Sequence, residues 1–418
     1  MSDNRSSRWV EKGEIVLPAM VNTKHDATSY ESLSRYQREI FDANSLYDAY
    51  LRAKQGSDWK PQVQRFEMSY LLELSEIQER LKNRTYEFLP STEFVIRERG
   101  KARVIRGEQI QDRVVKHSLC DEVLTPKMSE HLIFDNGASQ TGKGIDFARR
   151  RLLYHLQRYY RTHGSNEGYI LLIDFSKYYD NIHHEVLMNL FRKYVSNDAA
   201  LWLLEKTIAR SEVDVSYMTD EEFENCMHMV FNSLEYEKIP VSLRTGEKIM
   251  KKHLNIGDQV AQTAGIAYPI PIDDYVKIVR GVKFYARYMD DSYAIHESKE
   301  YLEDLLKDII RIAEKIGITV NTSKTRICKL SEYWRFLQVQ YCLTDTGRII
   351  KKIHPKRLTT MRRKMKKLAP RMTTKEFTDW YQAWFRNHYK LMSKQQRTNM
   401  DTLFNQLKEV TKDADNQT

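Results

Sequence analysis

The chain has 418 residues, of which 41% are hydrophobic and 30% are charged, and its formal net charge is +10. This length exceeds one ordinary hydrophobic core, so two or three subdomains are expected, and the basic balance favours nucleic acid over a membrane as partner. The four cysteines are widely scattered without a CxxC pair, and no stretch approaches the roughly 20 apolar residues that span a bilayer. A structural zinc site, a disulfide framework and a membrane anchor are therefore not expected. The polar N-terminus has no apolar signal segment, which predicts a cytoplasmic protein.

The first part of the chain is predicted to be helical and then to form a hairpin. Residues 1–60 are expected to be a partly helical extension, and apolar residues recur at helical spacing between 31 and 90, as in MSYLLELSEIQERLK. The segment STEFVIRERGKARVI predicts two short strands around a basic turn at 98–101.

The segment GASQTGKG (137–144) nearly matches the nucleotide-binding P-loop. Gly144, however, stands where Ser or Thr should hold Mg²⁺, and the apolar segment before it is short for a central strand. A glycine-rich turn that leads into a helix is therefore favoured, and nucleotide hydrolysis is kept as an alternative hypothesis.

The middle of the chain predicts strands that end in acidic residues. The apolar run YILLID is typical of a buried strand and ends at Asp174, and an amphipathic helix follows it. VKFYARYMDDSYAI predicts two strands that meet at a tight turn carrying Asp290 and Asp291. A helix over 302–312, capped by Ser298 and ended by Gly317, then precedes a return to strand character at 318–330. This order predicts an α+β fold with helices on one face of a sheet.

Three aspartates are candidates for a metal site. Strand ends and turns bring side chains together while the backbone stays fixed, so Asp174, Asp290 and Asp291 are expected to converge. Crowded carboxylates need a cation, and hard oxygen ligands suit Mg²⁺, with Mn²⁺ as an alternative. Two such ions would activate a primer 3′-OH and stabilise the departing pyrophosphate. Taken singly, each feature has an ordinary explanation as a helix cap or a turn, and only their combination is specific.

The C-terminal part is strongly basic, with twelve Lys or Arg and no acidic residue from Arg348 to Lys375. Leu358, Met361, Met365 and Leu368 fall on one helical stripe, so most of the basic residues fall off the buried side. A solvated helix face usually mixes both signs because like charges at i,i+4 repel, which favours contact with phosphates here. The candidate nucleic-acid contacts on this helix are Arg362, Arg363 and Lys366.

Several segments resemble, in the same order, the motifs of reverse transcriptases, particularly the bacterial branch of retron-type, diversity-generating and defence-associated enzymes. ILLIDFSKYYDNIHHEVL resembles motif A, IGDQVAQTAGIAYPIPIDDYVK motif B, and RYMDD, which contains YMDD, motif C. GITVNTSKTRI resembles motif D, YWRFLQVQY the primer grip of motif E, and RERGKARVI and QIQDRVVKHSL the fingers motifs. The resemblance implies a right-hand polymerase fold with fingers at 61–168, a palm with an antiparallel sheet at 169–345 and a basic helical thumb at 346–418.

The resemblance assigns the metal site to Asp174, Asp290 and Asp291, helped by the carbonyl of Phe175. It places Tyr179 at the steric-gate position, where an aromatic ring excludes the 2′-OH that distinguishes a ribonucleotide. A core tyrosine is the ordinary alternative for that residue.

Other residues match family positions that bind nucleotide or template. Lys101 and Arg103 match fingers residues that bind the incoming triphosphate, and their charges suit phosphate oxygens. Gln262 matches a glutamine near the nascent base pair, and Lys324 matches a general acid for pyrophosphate. Arg113 is implied either to orient the template or to support the fingers.

The chain departs from the family pattern in three places. Ala261 stands where motif B usually has Ser, and Gln338 follows Phe336 and Leu337, the implied primer contacts of motif E, where glycine is usual. This replacement is expected to alter the approach of the backbone to the primer. An acidic segment near 211–250, between motifs A and B, is a candidate insertion that contacts a protein subunit or a second copy of the chain.

The implied function is RNA-directed DNA polymerisation, in which dNTPs are added to a primer 3′-OH by two-metal-ion nucleotidyl transfer. The expected partners are a structured non-coding RNA as template or primer and the DNA product, and the expected role is antiphage defence, with retron-type or diversity-generating roles as alternatives. Untemplated or protein-primed synthesis by the same site is a second hypothesis, because any exposed one of the 25 tyrosines offers a priming hydroxyl. A non-catalytic RNA-binding protein is a third, which the clustered carboxylates disfavour because they are destabilising without a metal.

Overall fold

The computed structural model describes residues 42–98, 101–236 and 238–411. Most of the predicted N-terminal extension and the middle of the predicted basic turn lie outside the described residues, as does the side chain of Lys101. Within the described ranges, no helix combines the length and the apolar character needed to cross a membrane.

The first described part is helical with one antiparallel hairpin, as predicted. Asp42 begins the first helix by accepting hydrogen bonds from the backbone of Asn44 and Ser45, which satisfies N–H groups left free at a helix start. In the hairpin, Thr92 lies opposite Gly107. The elements are α1 (Ala43–Lys54), α2 (Pro61–Met68), α3 (Tyr70–Lys82), β1 (Thr92–Glu98), β2 (Lys101–Gly107), α4 (Ile110–Leu119), a π-helical turn (Cys120–Leu124), α5 (Thr125–Ser129) and α6 (Ile145–His163).

The middle of the chain forms a four-stranded antiparallel sheet with the strand order β6-β7-β3-β8, here named the palm sheet. Its elements, with those that connect them, are β3 (Tyr169–Ile173), a 3₁₀ turn (Tyr178–Asn181, the 178–181 turn), α7 (His184–Tyr194), α8 (Asp198–Ala209), β4 (Val213–Asp214), α9 (Asp220–Asn225), α10 (Ser233–Tyr236), a 3₁₀ turn (Val241–Leu243), β5 (Ile249–Met250), α11 (Gln259–Ala267), α12 (Ile270–Asp274), a π-helical turn (Tyr275–Val279), β6 (Phe284–Tyr288), β7 (Asp291–His296), α13 (Lys299–Lys315) and β8 (Arg326–Lys329). Ser298 caps α13 as predicted, because its hydroxyl accepts a hydrogen bond from the backbone N–H of Tyr301 at 3.0 Å. The predicted strand at 318–330 is regular only over β8. The combination of helices with an antiparallel sheet confirms the predicted α+β class.

The C-terminal part consists of a three-stranded sheet, with the order β11-β10-β9, and a group of helices. The helices have their own hydrophobic core, in which Leu358, Met361 and Met365 of the predicted stripe are buried and Leu368 is half-buried. The elements are β9 (Trp334–Phe336), β10 (Val339–Leu343), β11 (Ile349–Ile353), α14 (Pro355–Leu368), a 3₁₀ turn (Ala369–Arg371), α15 (Thr374–His388), a 3₁₀ turn (Tyr389–Leu391) and α16 (Lys394–Lys408).

Both faces of the palm sheet are covered, so the expectation of helices on one face only is wrong. Alternate residues of a strand point to opposite faces. Leu171 and Ala294 belong to a core that includes residues of α7, α8, α11 and α13, whereas Leu172 and Tyr293 belong to a second core with α6 and β9–β11. Helix α6 packs there because its stripe of Leu152 and neighbouring apolar residues matches strands that are apolar on both sides.

A buried ion pair joins α12 to the hairpin of β6 and β7. Arg287 and Asp273 are each 1% exposed, and the guanidinium Nε and Nη2 donate to the carboxylate at 2.6 to 3.0 Å. The hydroxyl of Tyr285 donates to the same carboxylate at 2.7 Å. The remaining guanidinium bonds go to backbone carbonyls, those of Ile266 at 2.7 Å and Met289 at 3.3 Å. The pair therefore fixes the end of α11 and the β6–β7 turn relative to each other.

We expect Asp273→Ala to destabilise the protein by about 3–5 kcal/mol, because it leaves a buried guanidinium without its counter-ion. Unfolding in urea measures the change. The control is Asp304→Ala, which breaks an exposed pair with Lys307 and should change the free energy of unfolding far less, because solvent screens that pair. Equal losses in the two variants would contradict the structural role assigned to the buried pair.

Candidate active site

Strand register brings the three candidate carboxylates to one end of the palm sheet. Ile173 is the last residue of β3 and pairs with Ser292, so Asp174 lies one step further, beside Asp291. Tyr288 pairs with Asp291 across the hairpin, which leaves a two-residue turn that includes Asp290. Residues opposite each other in an antiparallel pair point to the same face, so Asp174 and Asp291 share the face that carries the second core.

The loop after α13 holds the backbone on both sides of Phe175, directly after Asp174. The N–H of Asn321 donates to the carbonyl of Asp174 at 2.7 Å, and the N–H of Ser176 donates to the carbonyl of Thr319 at 2.8 Å. Lys324 donates to Oδ2 of Asp174 at 2.6 Å while half of its side chain is exposed. The loop resembling motif D therefore delivers the predicted general acid directly to the carboxylate cluster.

Burial and mutual repulsion raise the pKa values of two carboxylates in the cluster, Asp290 and Asp291. Burial raises the pKa of Asp291 to about 7, and the negative charges of Asp290 and Asp174 add to the rise. Burial also raises the pKa of Asp290, again with a contribution from Asp174. The positive charge of Lys324 opposes both shifts. A further positive charge at this end of the sheet would therefore stabilise the ionised carboxylates.

The donors fit a divalent cation in kind, since carboxylate oxygens are ligands that Mg²⁺ prefers. In the part of the chain that the structure describes, no three carboxylate, imidazole or thiol side chains are grouped closely enough to hold a metal ion by themselves. Lys324 engages Oδ2 of Asp174, so a cation at that oxygen competes with the lysine. The carbonyl of Phe175, the predicted backbone ligand, takes no part in the two backbone bonds that hold the strand end.

Tyr179 is wedged between α11 and the β6–β7 turn. Its hydroxyl lies 3.7 Å from Sδ of Met289, and a Cβ added to Gly265 would come within 2.6 Å of the same hydroxyl. Burial raises the pKa of Tyr179 and the charge of Asp290 adds to the rise, so the phenol is neutral. The exposed Gln262 lies three residues before Gly265 and hence on the same side of α11. The candidate gate and the candidate base-pair contact are therefore neighbours.

The two predicted fingers arginines have different surroundings. Arg103 is exposed on β2, and its charge opposes the rise in the pKa of both Asp290 and Tyr179, so it faces the cluster. Arg113 is turned into the protein, where it donates to the hydroxyl of Ser57 at 3.1 Å and to the carbonyl of Ala53. These contacts suit support of the fingers and do not present Arg113 to a template.

The motif E turn keeps the backbone that glycine favours, although Gln338 replaces glycine. Leu337 and Gln338 both have positive φ, at 43° and 71°, which for residues with a side chain costs about 1–2 kcal/mol each. The carbonyl of Leu337 accepts from Arg149 of α6 at 2.9 Å, and Oε1 of Gln338 accepts from Arg357 of α14. The side chains of Phe336 and Leu337, the predicted primer contacts, are both buried.

The basic helix α14 carries an exposed cationic surface. Arg363 and Lys366 are exposed and Arg362 is half-buried. Within the described ranges, none of these three forms an ion pair with a carboxylate, which distinguishes this face from a helix surface of mixed charge.

The P-loop-like segment does not have the structure of a nucleotide site. Within the described residues, no strand directly precedes it, and its lysine, Lys143, is bonded within the protein. Turns rather than a strand precede it, over residues 131–136. Lys143 donates to the carbonyl of Phe134 at 2.9 Å and to Oε1 of Gln140 at 3.0 Å, between the rings of Phe134 and Phe147. The segment is a turn that leads into α6.

Sequence reasoning missed the residues that brace the site from behind. Lys116 is 3% exposed and binds Asp258 at 2.7 Å, and Asp258 caps α11 by accepting from the N–H of Ala261 at 2.6 Å. Arg335 on β9 opposes the rise in the pKa of Asp291. An Asp before an apolar run signals a cap, but neither the burial of Lys116 nor the proximity of Arg335 has a local signal.

A protein-family model and two known proteins are similar to this chain. The model of the reverse transcriptase (RNA-dependent DNA polymerase) family matches residues 97–341, more than half of the chain. Protein YkfC of Escherichia coli K12 is 25% identical over 150 residues, which are 34% of this chain and 37% of that protein. A structure of apo telomerase from Candida tropicalis, truncated from its C-terminal domain, aligns with a TM-score of 0.44 at 14% identity and covers 63% of this chain and 55% of that one. The chain thus spans little more than a third of the length of YkfC.

The fold and the matched region define the class: this is a right-hand polymerase fold of mixed helices and strands. The chain belongs to the reverse transcriptase (RNA-dependent DNA polymerase) family.

We expect Asp291→Asn to stabilise the metal-free protein at pH 8. An acid whose folded pKa lies above its unfolded value destabilises the fold progressively as pH rises from about 4 to about 7, and the penalty is constant above that. Removing the charge should therefore raise the free energy of unfolding at pH 8 by on the order of 1 kcal/mol or more, and change it little at pH 4. Urea unfolding in EDTA measures this.

Mg²⁺ should then stabilise the wild type more than the variant, because a ligand of the folded state raises its stability. Asp304→Asn, on the exposed side of α13, is the control. A variant that is less stable than wild type at pH 8 in EDTA would show that the carboxylate is not under electrostatic strain.

Proposed function

We propose that the chain is an RNA-directed DNA polymerase, a nucleotidyltransferase that adds dNTPs to a primer 3′-OH. The observation that carries the proposal is the placement of Asp174, Asp290 and Asp291 at one end of the palm sheet, where Lys324 binds Asp174 and Tyr179 contacts Met289 of the β6–β7 turn. Templated nucleotidyl transfer requires such an arrangement: carboxylates that bind cations, a group that donates a proton, and a side chain that distinguishes deoxyribose from ribose.

The carboxylates Asp174, Asp290 and Asp291, with the carbonyl of Phe175, would hold two divalent cations, Mg²⁺ or Mn²⁺. When bound, such ions lower the pKa of an attacking hydroxyl and neutralise the charge on a leaving pyrophosphate. The side chain of Lys324 is half exposed, and in this proposal it leaves Asp174 to donate a proton to that pyrophosphate. Its bond to Asp174 keeps the ammonium at the cluster until then.

Selection of the nucleotide is assigned to the residues around Tyr179. Its half-buried ring, backed by Gly265, closes the side of the pocket where a ribonucleotide carries its 2′-OH. Gln262 reaches the nascent base pair from the same side of α11. Arg103 and Lys101, on the β1–β2 hairpin, bind the triphosphate.

The remaining surfaces are assigned to nucleic acid. In this proposal residues 61–168 are fingers, 169–345 palm and 346–418 thumb, after an N-terminal extension over 1–60. The exposed basic face of α14 contacts the phosphates of the primer–template duplex through Arg362, Arg363 and Lys366. The motif E turn, held by Arg149 and Arg357, sets the position of the primer terminus.

We further propose that this cytoplasmic enzyme copies a dedicated, structured non-coding RNA in antiphage defence. The motif order and the YMDD turn support the bacterial retron, diversity-generating and defence-associated branch. A retron-type or diversity-generating role, and synthesis that is untemplated or primed by a protein tyrosine, are the alternatives for the same active site. A protein subunit or a second copy of the chain is a further candidate partner, through residues 211–250.

Extension of a DNA primer on an RNA template by a single complementary dNTP tests the proposal. With Mg²⁺, we expect wild type to add the nucleotide, and the double variant Asp290→Asn, Asp291→Asn to add none, because it lacks two of the three carboxylates. The double variant should remain folded and at least as stable without metal. Asp304→Asn should extend like wild type.

Extension by the folded double variant would contradict the assigned mechanism. Sequencing the RNA that copurifies with the chain, and any DNA made from it on adding dNTPs, identifies the template. Release of the DNA 5′ end only after protease treatment would favour protein priming.

A further inference from the structure

The acidic segment 211–250 packs through polar contacts on the turn that carries Tyr179. Its apolar side chains form a small core of their own, which includes Val213, Val215, Phe231 and Met250. This core is separate from the two that enclose the palm sheet. Hydrogen bonds rather than a shared core therefore define how the segment sits on the palm, and hydrogen bonds fix position and direction.

Asn181, the last residue of the 178–181 turn, exchanges two hydrogen bonds with the segment. Its Oδ1 accepts from the N–H of Phe231 at 2.9 Å, and its Nδ2 donates to the carbonyl of Phe231 at 3.2 Å. Nδ2 also donates to the carbonyl of Lys177 at 2.9 Å, which closes the turn on itself. Asn181 is only 2% exposed, so losing these partners would leave buried polar atoms unsatisfied.

Asp180, the residue after Tyr179, is held from two sides. Its Oδ2 accepts from the N–H of Ser233 at 3.3 Å, and its Oδ1 lies 3.1 Å from Nδ1 of His253. The N–H of Leu254 in turn donates to the carbonyl of Tyr179 at 2.9 Å. Residues 231–233 belong to the segment, and residues 253–254 follow it directly. Both stretches therefore hold the 178–181 turn in place.

Lys252 fixes the part of the segment that makes these contacts. It is 1% exposed, and its ammonium donates to the backbone carbonyls of Cys226, Met227 and Met229. The stretch just before Phe231 is therefore tied to the residue just before His253. A shift of the segment would therefore move residues 231–233 and 253–254, and with them their contacts to the 178–181 turn.

We propose that residues 211–250 position the sugar gate: the contacts of Asn181 and Asp180 with Phe231 and Ser233 hold the Tyr179 ring where it rejects ribonucleotides. This inference rests on the proposed function, in which Tyr179 is the gate. Asn181 and Asp180 are positioning residues, since they act through Tyr179, whose ring has Gly265 on its other side. The segment thereby gains a role inside the chain that requires no partner protein.

The test measures kcat/KM for dATP and for ATP in extension of one DNA primer on one RNA template. Asn181→Ala removes both bonds to Phe231. Ser233→Pro removes only the backbone N–H that donates to Asp180. Proline is tolerated there because Ser233 is the first residue of α10. Ser233→Ala, which keeps the N–H, is its matched control. Asn225→Ala, an exposed asparagine elsewhere in the segment, is the control for Asn181→Ala.

In each test variant we expect the dATP-to-ATP ratio of kcat/KM to fall roughly tenfold or more, with both controls at the wild-type ratio. Tyr179→Ala gives the size of the effect when the ring itself is lost. If Ser233→Pro does not fold, as judged by circular dichroism, Asn181→Ala decides the matter.

A test variant that loses activity equally for both nucleotides, with an unchanged ratio, would overturn the inference and leave the polymerase proposal intact. A wild-type protein that extends no primer, or a Tyr179→Ala variant that still rejects ATP, would instead overturn the proposed function.

Discussion

The buried pair of Asp273 and Arg287 is the interaction on which the geometry of the site depends. Its guanidinium also binds the carbonyls of Ile266 in α11 and Met289 in the β6–β7 turn. The helix that backs Tyr179 and the β6–β7 hairpin that carries Asp290 and Asp291 are thereby fixed to one group. A buried pair contributes little net stability over an apolar substitute, but removing one partner is costly, so the pair acts chiefly to specify one arrangement.

The site built on this frame is short of positive charge. Burial and repulsion raise the pKa of Asp290 and Asp291, and only Lys324 forms an ion pair with the cluster among the described residues. A cluster of this kind is unfavourable for the fold and favourable for a cation, since binding relieves the repulsion. The same excess explains why Lys324, an exposed lysine, stays at Asp174. Stability and chemistry therefore oppose each other at this end of the palm sheet, and the rigid strands on either side maintain the arrangement.

Much of this could be predicted from sequence, where the signal is local. The runs YILLID and FYARYMDDSYAI predict strands and a tight turn, and placing Asp174 beside Asp291 follows from pairing them. The second covered face of the sheet could not be predicted, because it depends on α6 and β9–β11 packing from distant parts of the chain. The inward turn of Arg113, the Asp273–Arg287 pair and the attachment of residues 211–250 to the 178–181 turn are likewise long-range contacts with no local pattern. Gln338 shows the opposite limit: the residue departs from the family pattern, yet its backbone keeps the positive φ that glycine favours.

The proposed function requires Asp174, Asp290 and Asp291 to form a two-cation centre together. Counting bound Mn²⁺ by electron paramagnetic resonance tests it most directly, in a complex with a primer–RNA template that ends in a dideoxynucleotide and the complementary dNTP. We expect two magnetically coupled Mn²⁺ ions per wild-type chain, as in a shared carboxylate site, and loss of the coupled pair in Asp174→Asn. A wild-type complex that holds no coupled pair, or an Asp174→Asn complex that retains it, would show that the three carboxylates do not form one two-cation site.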